Sequence, residues 1–301
     1  MQRRIIVGAR GSRLSVYQAK EVIGLLKKKF PKYRFILKKI TTKGDRIKNW
    51  DYKEKGIFVK EIEDYLIKGK IDLAVHSMKD LPIDIPEELK IAAITKRESA
   101  YDVLIINERK NLKKIQIIGT SSLRRKAQIL NWRPDLRVED LRGNLDTRIK
   151  KLKEGKFDGI IVAEAGIERL GLKGLFFKII PREIMLPAAG QGALGIEIRK
   201  EDKFIEEMVN CINDLETSIC INCERAFLKE IGGGCRLPLG ALAEIKNKRI
   251  HLEVKVISLD GKKVFHLRGS TQIKKGEDLA RRLARLILKK GAKEILEDAR
   301  R

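Results

Sequence analysis

Histidine is nearly absent from this chain, with three in 301 residues. That scarcity argues against a mechanism built on a His triad and against a His-rich metal site. Aromatic residues are also sparse, at 5%. Ile, Leu and Val therefore supply most of the 43% hydrophobic content, and there is no interleaved aromatic platform of the kind that stacks nucleic-acid bases. No apolar run approaches the roughly 18 residues of a transmembrane helix. The N-terminus enters a strand-like run at Ile5, Ile6 and Val7, leaving no room for a signal or transit peptide, so a cytoplasmic location is expected. None of the chain's three arginine-bearing strand–helix junctions matches GxGxxG or GxxxxGKS, so a nucleotide site is poorly supported. There is no internal repeat and no low-complexity linker.

Positive charge is abundant. Lys and Arg number 66 against 41 Asp and Glu, a formal net charge of +25, which implies polyanionic partners. The lysines are scattered, as on solvated helix faces. Six arginines, Arg124, Arg125, Arg133, Arg137, Arg142 and Arg148, fall within 25 residues. Arginine grips carboxylates and phosphates bidentately, so this cluster suggests a local anion site. All four cysteines, Cys211, Cys220, Cys223 and Cys235, lie in one 25-residue stretch. A large chain without a secretion signal argues against disulfides. The Cys220-x-x-Cys223 spacing invites a zinc reading, but it lacks a second close pair and Cys220 falls in a helical pattern, so no metal is expected.

The first 200 residues alternate strand and helix. Strands are expected at Ile5–Ala9, Tyr33–Thr41, Ile71–His76, Ile115–Gly119, Leu136–Asp140 and Gly159–Ala163. Helices are expected at Ser12–Phe30, Ile57–Lys68, Ser122–Leu130 and Asn144–Glu154. Such alternation indicates parallel sheets with helical crossovers, here two related α/β domains with a cleft between them. The tail changes character. A helix near Glu216–Glu230 precedes strands at Ala241–Ile245, His251–Leu259 and Val264–Gly269, with a turn at Asp260-Gly261, and a helix over Asp278–Lys290 closes a small α+β domain.

Three strand–helix junctions share one form: Ala9-Arg10-Gly11-Ser12, Gly119-Thr120-Ser121-Ser122-Leu123-Arg124-Arg125 and Leu141-Arg142-Gly143-Asn144. Each offers helix N-terminal N–H groups beside Ser, Thr or Arg, a ready anion site. Ser12, Ser122 and Asn144 equally suit ordinary N-caps. The segment His76-Ser77-Met78-Lys79-Asp80-Leu81-Pro82 follows a strand directly, where ligands of α/β sheets gather, although it also reads as a plain polar turn. His76 itself suits a buried structural role. In Gly232-Gly233-Gly234-Cys235-Arg236, the glycines present a cysteine beside an arginine, which suits a nucleophile; a flexible interdomain loop is the alternative.

Taken together, these stretches resemble the porphobilinogen deaminase family. The resemblance is carried by Ala-Arg-Gly-Ser at 9–12, Lys-Gly-Ile-Phe-Val-Lys-Glu at 55–61, His-Ser-Met-Lys-Asp at 76–80 and Gly-Thr-Ser-Ser-Leu-Arg-Arg at 119–125. It continues through Leu-Arg-Gly-Asn at 141–144, Pro-Ala-Ala-Gly-Gln-Gly-Ala at 187–193 and Gly-Gly-Cys at 233–235, in order over essentially the whole chain. It implies two domains like those of type II periplasmic binding proteins (1–97 with 190–214, and 98–189) and a small α+β domain (215–301) carrying the cofactor cysteine. The implied cofactor is a dipyrromethane joined by a thioether to Cys235. The implied reaction condenses porphobilinogen units head to tail, releasing ammonia. By the same resemblance Asp80 is the catalytic carboxylate, and Asp80, Lys79, Ser77, Thr120, Ser122, Arg124 and Arg125 bind the cofactor. Arg10, Ser12, Ser121, Arg142, Arg148, Arg169 and Gln191 bind substrate, while Lys55, Phe58 and Lys60 lie in a segment like the family's mobile active-site loop. Each pyrrole of substrate and product carries an acetate and a propionate, which gives the positive charge a purpose. A monomer is implied, with porphobilinogen as the small-molecule partner. Neither nucleic acid nor membrane nor an obligatory protein partner is expected, and a downstream uroporphyrinogen synthase is a candidate contact.

Glu164 departs from the family pattern, standing where many members carry an apolar residue. Two other classes compete. A non-catalytic anion-binding protein of the periplasmic type would need neither Cys235 nor the third domain, and a nucleic-acid binder rests on net charge alone.

Overall fold

A computed structural model of the chain describes residues 3–46, 56, 58–110, 115–233 and 237–300. In chain order the first elements are β1 (Arg4–Arg10), α1 (Arg13–Lys29), β2 (Arg34–Ile40), α2 (Lys43–Arg46), α3 (Lys60–Ile67), β3 (Leu73–Ser77) and β4 (Leu89–Ile94). Next come β5 (Asp102–Ile106), β6 (Ile117–Gly119), α4 (Leu123–Trp132), β7 (Arg137–Glu139), α5 (Leu145–Lys153), β8 (Gly159–Ala163), α6 (Glu164–Leu170) and β9 (Phe177–Ile179). The chain ends with β10 (Leu194–Arg199), α7 (Lys203–Asn210), α8 (Leu215–Glu230), β11 (Leu239–Lys246), β12 (Arg249–Ile257), β13 (Val264–Gln272), α9 (Gly276–Ile287) and α10 (Lys293–Asp298). It divides into two compact units: Met1–Arg97 with Ala193–Ser218, and Glu98–Gly192 with Ile219–Arg301.

In the first unit the strand order is β2-β1-β3-β10-β4. β1 is parallel to β2 and β3, whereas β10 is antiparallel to both β3 and β4. Helix α1 starts at Ser12, whose side chain accepts from the Ser15 N–H. Its buried residues Ala19, Val22, Ile23 and Leu26 recur at helical spacing and pack on Val7, Leu73, Val75 and Ile196 of the sheet. The opposite face receives Ile62 and Leu66 of α3 against Ile40, Ile71 and Ala74. Each such fully buried aliphatic side chain contributes roughly 1.5–3 kcal/mol.

The second unit holds a sheet of order β7-β6-β8-β5-β9, with β6 parallel to β7 and β8, and β5 antiparallel to β8 and β9. Along β5, Val103 and Ile105 join one core while Leu104 and Ile106 join the other, so the strand is buried on both faces. Parallel pairing alone, as the strand–helix alternation suggests, is therefore incomplete: both sheets are mixed. In each, the antiparallel strand is the first one formed after the chain enters from the other unit, β5 after Arg97 and β10 after Gly192.

The antiparallel sheet β11-β12-β13 belongs to the second unit and is backed by α9. The Asp260-Gly261 turn forms as its sequence suggests, with Asp260 Oδ1 accepting from the Lys262 N–H at 3.0 Å. Gly261 has φ +79°, and a Cβ there would lie 2.5 Å from the backbone N of Asn131. The turn thus docks by close backbone approach on the end of α4, where Asn131 Nδ2 donates to the Gly261 carbonyl at 2.8 Å. Buried Glu224 on α8 accepts from the Gly190 and Ala243 N–H groups at 2.7 and 2.8 Å, joining α8 to β11 and to the turn after Pro187.

Candidate active site

Parallel strands end together, so their following loops share an edge. In the first unit Val7 pairs with Leu73, a register that finishes β1 at Arg10 and β3 at Ser77 within one residue of each other. Beyond β3 the chain turns, with the Asp80 N–H donating to the Ser77 carbonyl at 3.0 Å and the Met78 N–H to the Ala193 carbonyl at 3.0 Å. Met78 and Leu81 are each 2% exposed and pin the turn from below. Ser77 and Lys79 are half-buried, and Asp80 stands exposed. This apolar–polar alternation is what aims the carboxylate outward.

On the same edge Arg10 donates from Nη2 to Asp45 Oδ1 at 2.5 Å, and its guanidinium lies 4.1 Å from the Phe58 ring centroid. Ser12 caps α1 and donates its own hydroxyl proton to Ser15 Oγ at 2.8 Å. Lys60 is exposed at the start of α3. Behind the turn, His76 Nε2 lies 2.9 Å from Glu197 Oε2, both residues being buried, and Glu197 Oε1 has no hydrogen-bond partner. Glu63 on α3 is pushed up to about 7, by burial first and by the Glu197 charge second. His76 is thus the buried structural histidine that its place on an apolar strand suggests.

In the second unit the carboxyl ends of β6, β7 and β8 line one edge. After β6, Thr120 is buried and its hydroxyl accepts from the Ser122 N–H at 3.3 Å, while Ser122 caps α4. Ser121 Oγ is buried with no hydrogen-bond partner. After β7, Asn144 caps α5 by accepting from the Thr147 N–H at 3.0 Å. Half-buried Arg148 donates from Nε to the Gly143 carbonyl at 2.8 Å. Arg142 lies 3.9 Å from Asp140 with 36% of its side chain exposed. The three N-cap readings are all realised, and two helix N-termini converge on this edge beside two arginines.

Arg124 and Arg125 are placed differently from Arg142 and Arg148. Both are buried and bind Asp102: Arg124 Nη1 at 2.6 Å, and Arg125 Nε and Nη2 at 3.0 and 2.8 Å. Arg124 Nη1 also reaches the Leu186 carbonyl and Arg125 Nη1 the Ile161 carbonyl. Asp102 reaches this edge because β5 is antiparallel, which sets it opposite Ala163 at the end of β8. Burial opposes its charge, yet the two guanidiniums hold the carboxyl far below the usual carboxylate range. Gln191 Nε2 completes this centre, donating to Asp102 Oδ1 at 3.1 Å and to the Ala100 carbonyl at 2.6 Å. Arg169 is buried and donates to the Gly192 carbonyl at 2.9 Å. Glu164, the departure from the pattern, accepts from the Ser99 hydroxyl at 2.5 Å.

Sequence reasoning missed Asp45 and Asp102. Neither belongs to a quoted motif, although Asp102 opens the run Val-Leu-Ile-Ile, where a lone charge demands a partner. Cys235 and Lys55 lie outside the described residues. Among the described residues no group of three or more His, Cys, Asp or Glu side chains could hold a metal ion. Cys223 instead donates to the Gly276 carbonyl at 3.2 Å, and burial pushes its thiol well up.

Two family models match the chain. "Porphobilinogen deaminase, dipyromethane cofactor binding domain" covers residues 5–207, and "Porphobilinogen deaminase, C-terminal domain" covers 218–289. The porphobilinogen deaminase of Alkaliphilus metalliredigens is 45% identical, across 98% of this chain and 95% of its own length. That of Carboxydothermus hydrogenoformans is also 45% identical, across 100% and 99%, and that of Syntrophomonas wolfei 41%, across 99% and 100%.

Proposed function

The chain belongs to the porphobilinogen deaminase family and condenses four porphobilinogen molecules, with loss of ammonia, into hydroxymethylbilane for tetrapyrrole biosynthesis; we propose that Asp80 is the carboxylate that drives each condensation. The observation that carries this assignment is its placement: an exposed carboxylate at the end of β3, on a turn fixed by buried Met78 and Leu81. Each addition breaks the bond from the substrate's aminomethyl carbon to nitrogen and forms a carbon–carbon bond to the growing chain. Positive charge develops on the substrate pyrrole as ammonia departs. A fixed carboxylate accepting from the pyrrole N–H stabilises that charge, and it takes or returns protons on the same face.

The family's dipyrromethane cofactor supplies, when bound, the pyrrole α-carbon on which the chain grows. The residues present fit it. Ser121 Oγ is a buried hydroxyl without a partner, at the N-terminus of α4, where donors for a carboxylate converge. Ser77, Lys79, Thr120 and Ser122 offer further donors, with Cys235 as the thioether anchor. Arg10, Arg142 and Arg148 then take substrate carboxylates, with Ser12 beside Arg10 and Lys55, Phe58 and Lys60 supporting that side. Arg124, Arg125, Gln191 and Arg169 act in part through Asp102 and Gly192, holding the edge of the second sheet in position.

Residues 215–301 form a third domain in this reading, and 190–214 return to the first. The protein works in the cytoplasm as a monomer, without nucleic acid or an obligatory protein partner, and passes its product to a uroporphyrinogen synthase. No helix among the described residues is long and apolar enough to cross a membrane.

Intact mass tests the anchor. Protein purified from a haem-making host should exceed the sequence mass by two pyrrole units, and Cys235→Ser should lose that excess. A bare mass for the unaltered chain, or an excess retained by Cys235→Ser, would count against the assignment.

A further inference from the structure

Arg10 is already engaged from within its own unit. Its Nη2 donates to Asp45 Oδ1 at 2.5 Å, with 26% and 23% of the two side chains exposed. The Phe58 ring covers the guanidinium at 4.1 Å. That ring fits because residue 44 is glycine; a Cβ there would lie 2.2 Å from Phe58 Cε1. Beneath it, Arg10 Nε is buried with no hydrogen-bond partner.

A guanidinium presents Nε and Nη2 side by side, the fork that matches both oxygens of one carboxylate. Asp45 fills only half of it. Its second oxygen, Oδ2, is turned away to accept from the Thr42 N–H at 3.1 Å and the Thr42 hydroxyl at 2.8 Å. Burial disfavours the charged form of Asp45, but Arg10 and the Thr42 donors outweigh it and lower its pKa, so the stand-in is an anion at neutral pH. A buried donor left unpaired carries an unrecovered desolvation cost. A free carboxylate that reaches both Nε and Nη2 recovers it, and Asp45, tied to Thr42, does not.

We propose that Asp45 is an internal occupant of the Arg10 subsite, a one-oxygen stand-in that a substrate carboxylate must displace. Binding at Arg10 is then an exchange of carboxylates. The exchange favours a ligand that delivers two oxygens to the fork and rejects weak monodentate anions, which cannot outcompete an anion already in place. This makes Asp45 a specificity-determining residue, and it rests on the reading that Arg10 takes a substrate carboxylate.

The test uses the holoenzyme with Asp45→Asn. The asparagine oxygen still accepts from Thr42, but its amide group presents donors to Arg10 in place of an acceptor. The KM for porphobilinogen should fall by about fivefold, the scale of one charged hydrogen bond at a partly exposed site. Sodium acetate, as a simple carboxylate probe, should inhibit this variant at lower concentration than it inhibits the unaltered enzyme. An unchanged KM overturns the proposal; so does a raised KM, because Asp45 would then merely position Arg10. Arg10→Gln separates the two layers. It should raise KM, and if it does not, the assignment of Arg10 as a substrate contact fails on its own. In the Arg10→Gln background, Asp45→Asn should no longer lower KM. A surviving effect would place the action of Asp45 elsewhere and overturn the exchange.

Discussion

Asp80 and Asp102 are both aspartates at the mouth of a strand, yet their surroundings give them opposite tasks. Asp80 is exposed, so replacing it removes charge from the reaction without removing packing. Asp80→Asn should lower kcat by about a hundredfold or more, the scale of losing one preorganised electrostatic contact. Its melting temperature should move by only a degree or two, and near-normal turnover would remove Asp80 from the mechanism. Glu63 gives a stability test of opposite logic. Its folded pKa is raised from 4.5 to about 7, so between those values the folded state holds a proton that the unfolded state has released. Stability from this group is therefore complete below pH 4.5 and declines as pH rises through 7. Glu63→Gln should raise the melting temperature at pH 8 and leave it unchanged at pH 4. Equal shifts at the two pH values would show that burial and the Glu197 charge do not govern this carboxyl.

At the scale of elements, β4, β5, β9 and β10 escaped sequence reasoning, and β5 and β10 show why: their side chains answer to distant partners. β5 has both faces buried and so lacks alternation, and β10 carries Glu197, whose partner His76 lies 121 residues away. No local pattern reports such pairings. Among the legible helices, which also include α3, α8 and α9, the helices α1, α4 and α5 each begin at a capping residue in a quoted motif and carry apolar positions at helical spacing. The same division runs through the site. Junction residues such as Ser12, Ser122 and Asn144 were readable because capping is a local interaction. The engagement of Arg124 and Arg125 by Asp102 was not, because it depends on the antiparallel arrival of β5. Removing that carboxylate takes from two buried guanidiniums the charge that both of them bind. Asp102→Asn should cost about 3–5 kcal/mol in chemical denaturation. A loss under about 1 kcal/mol would mean that the carbonyls of Leu186 and Ile161 suffice to hold the pair.

Over the whole molecule, the charge of +25 was plain from composition, but its division between site and surface was not. Of the arginines that suggested an anion site, Arg124 and Arg125 share one internal carboxylate, Asp102, which offsets one of their two charges. Arg133 and Arg137 pair on the surface with Asp135 and Glu139, leaving Arg142 and Arg148 at the edge where two helices begin. The net positive charge on the surface acts through its field as well as through contact. A field of this kind raises the encounter rate of an anionic substrate, and it is screened over about 10 Å at 0.1 M salt. Raising sodium chloride from 20 to 500 mM should thus lower kcat/KM for porphobilinogen by about three- to tenfold. Direct occupation of the arginine subsites would mimic this trend, so the salt series should be repeated with sodium sulfate at equal ionic strength. If screening dominates, the two curves coincide. If sulfate is far more inhibitory, contact at the Arg142 and Arg148 edge outweighs the long-range field.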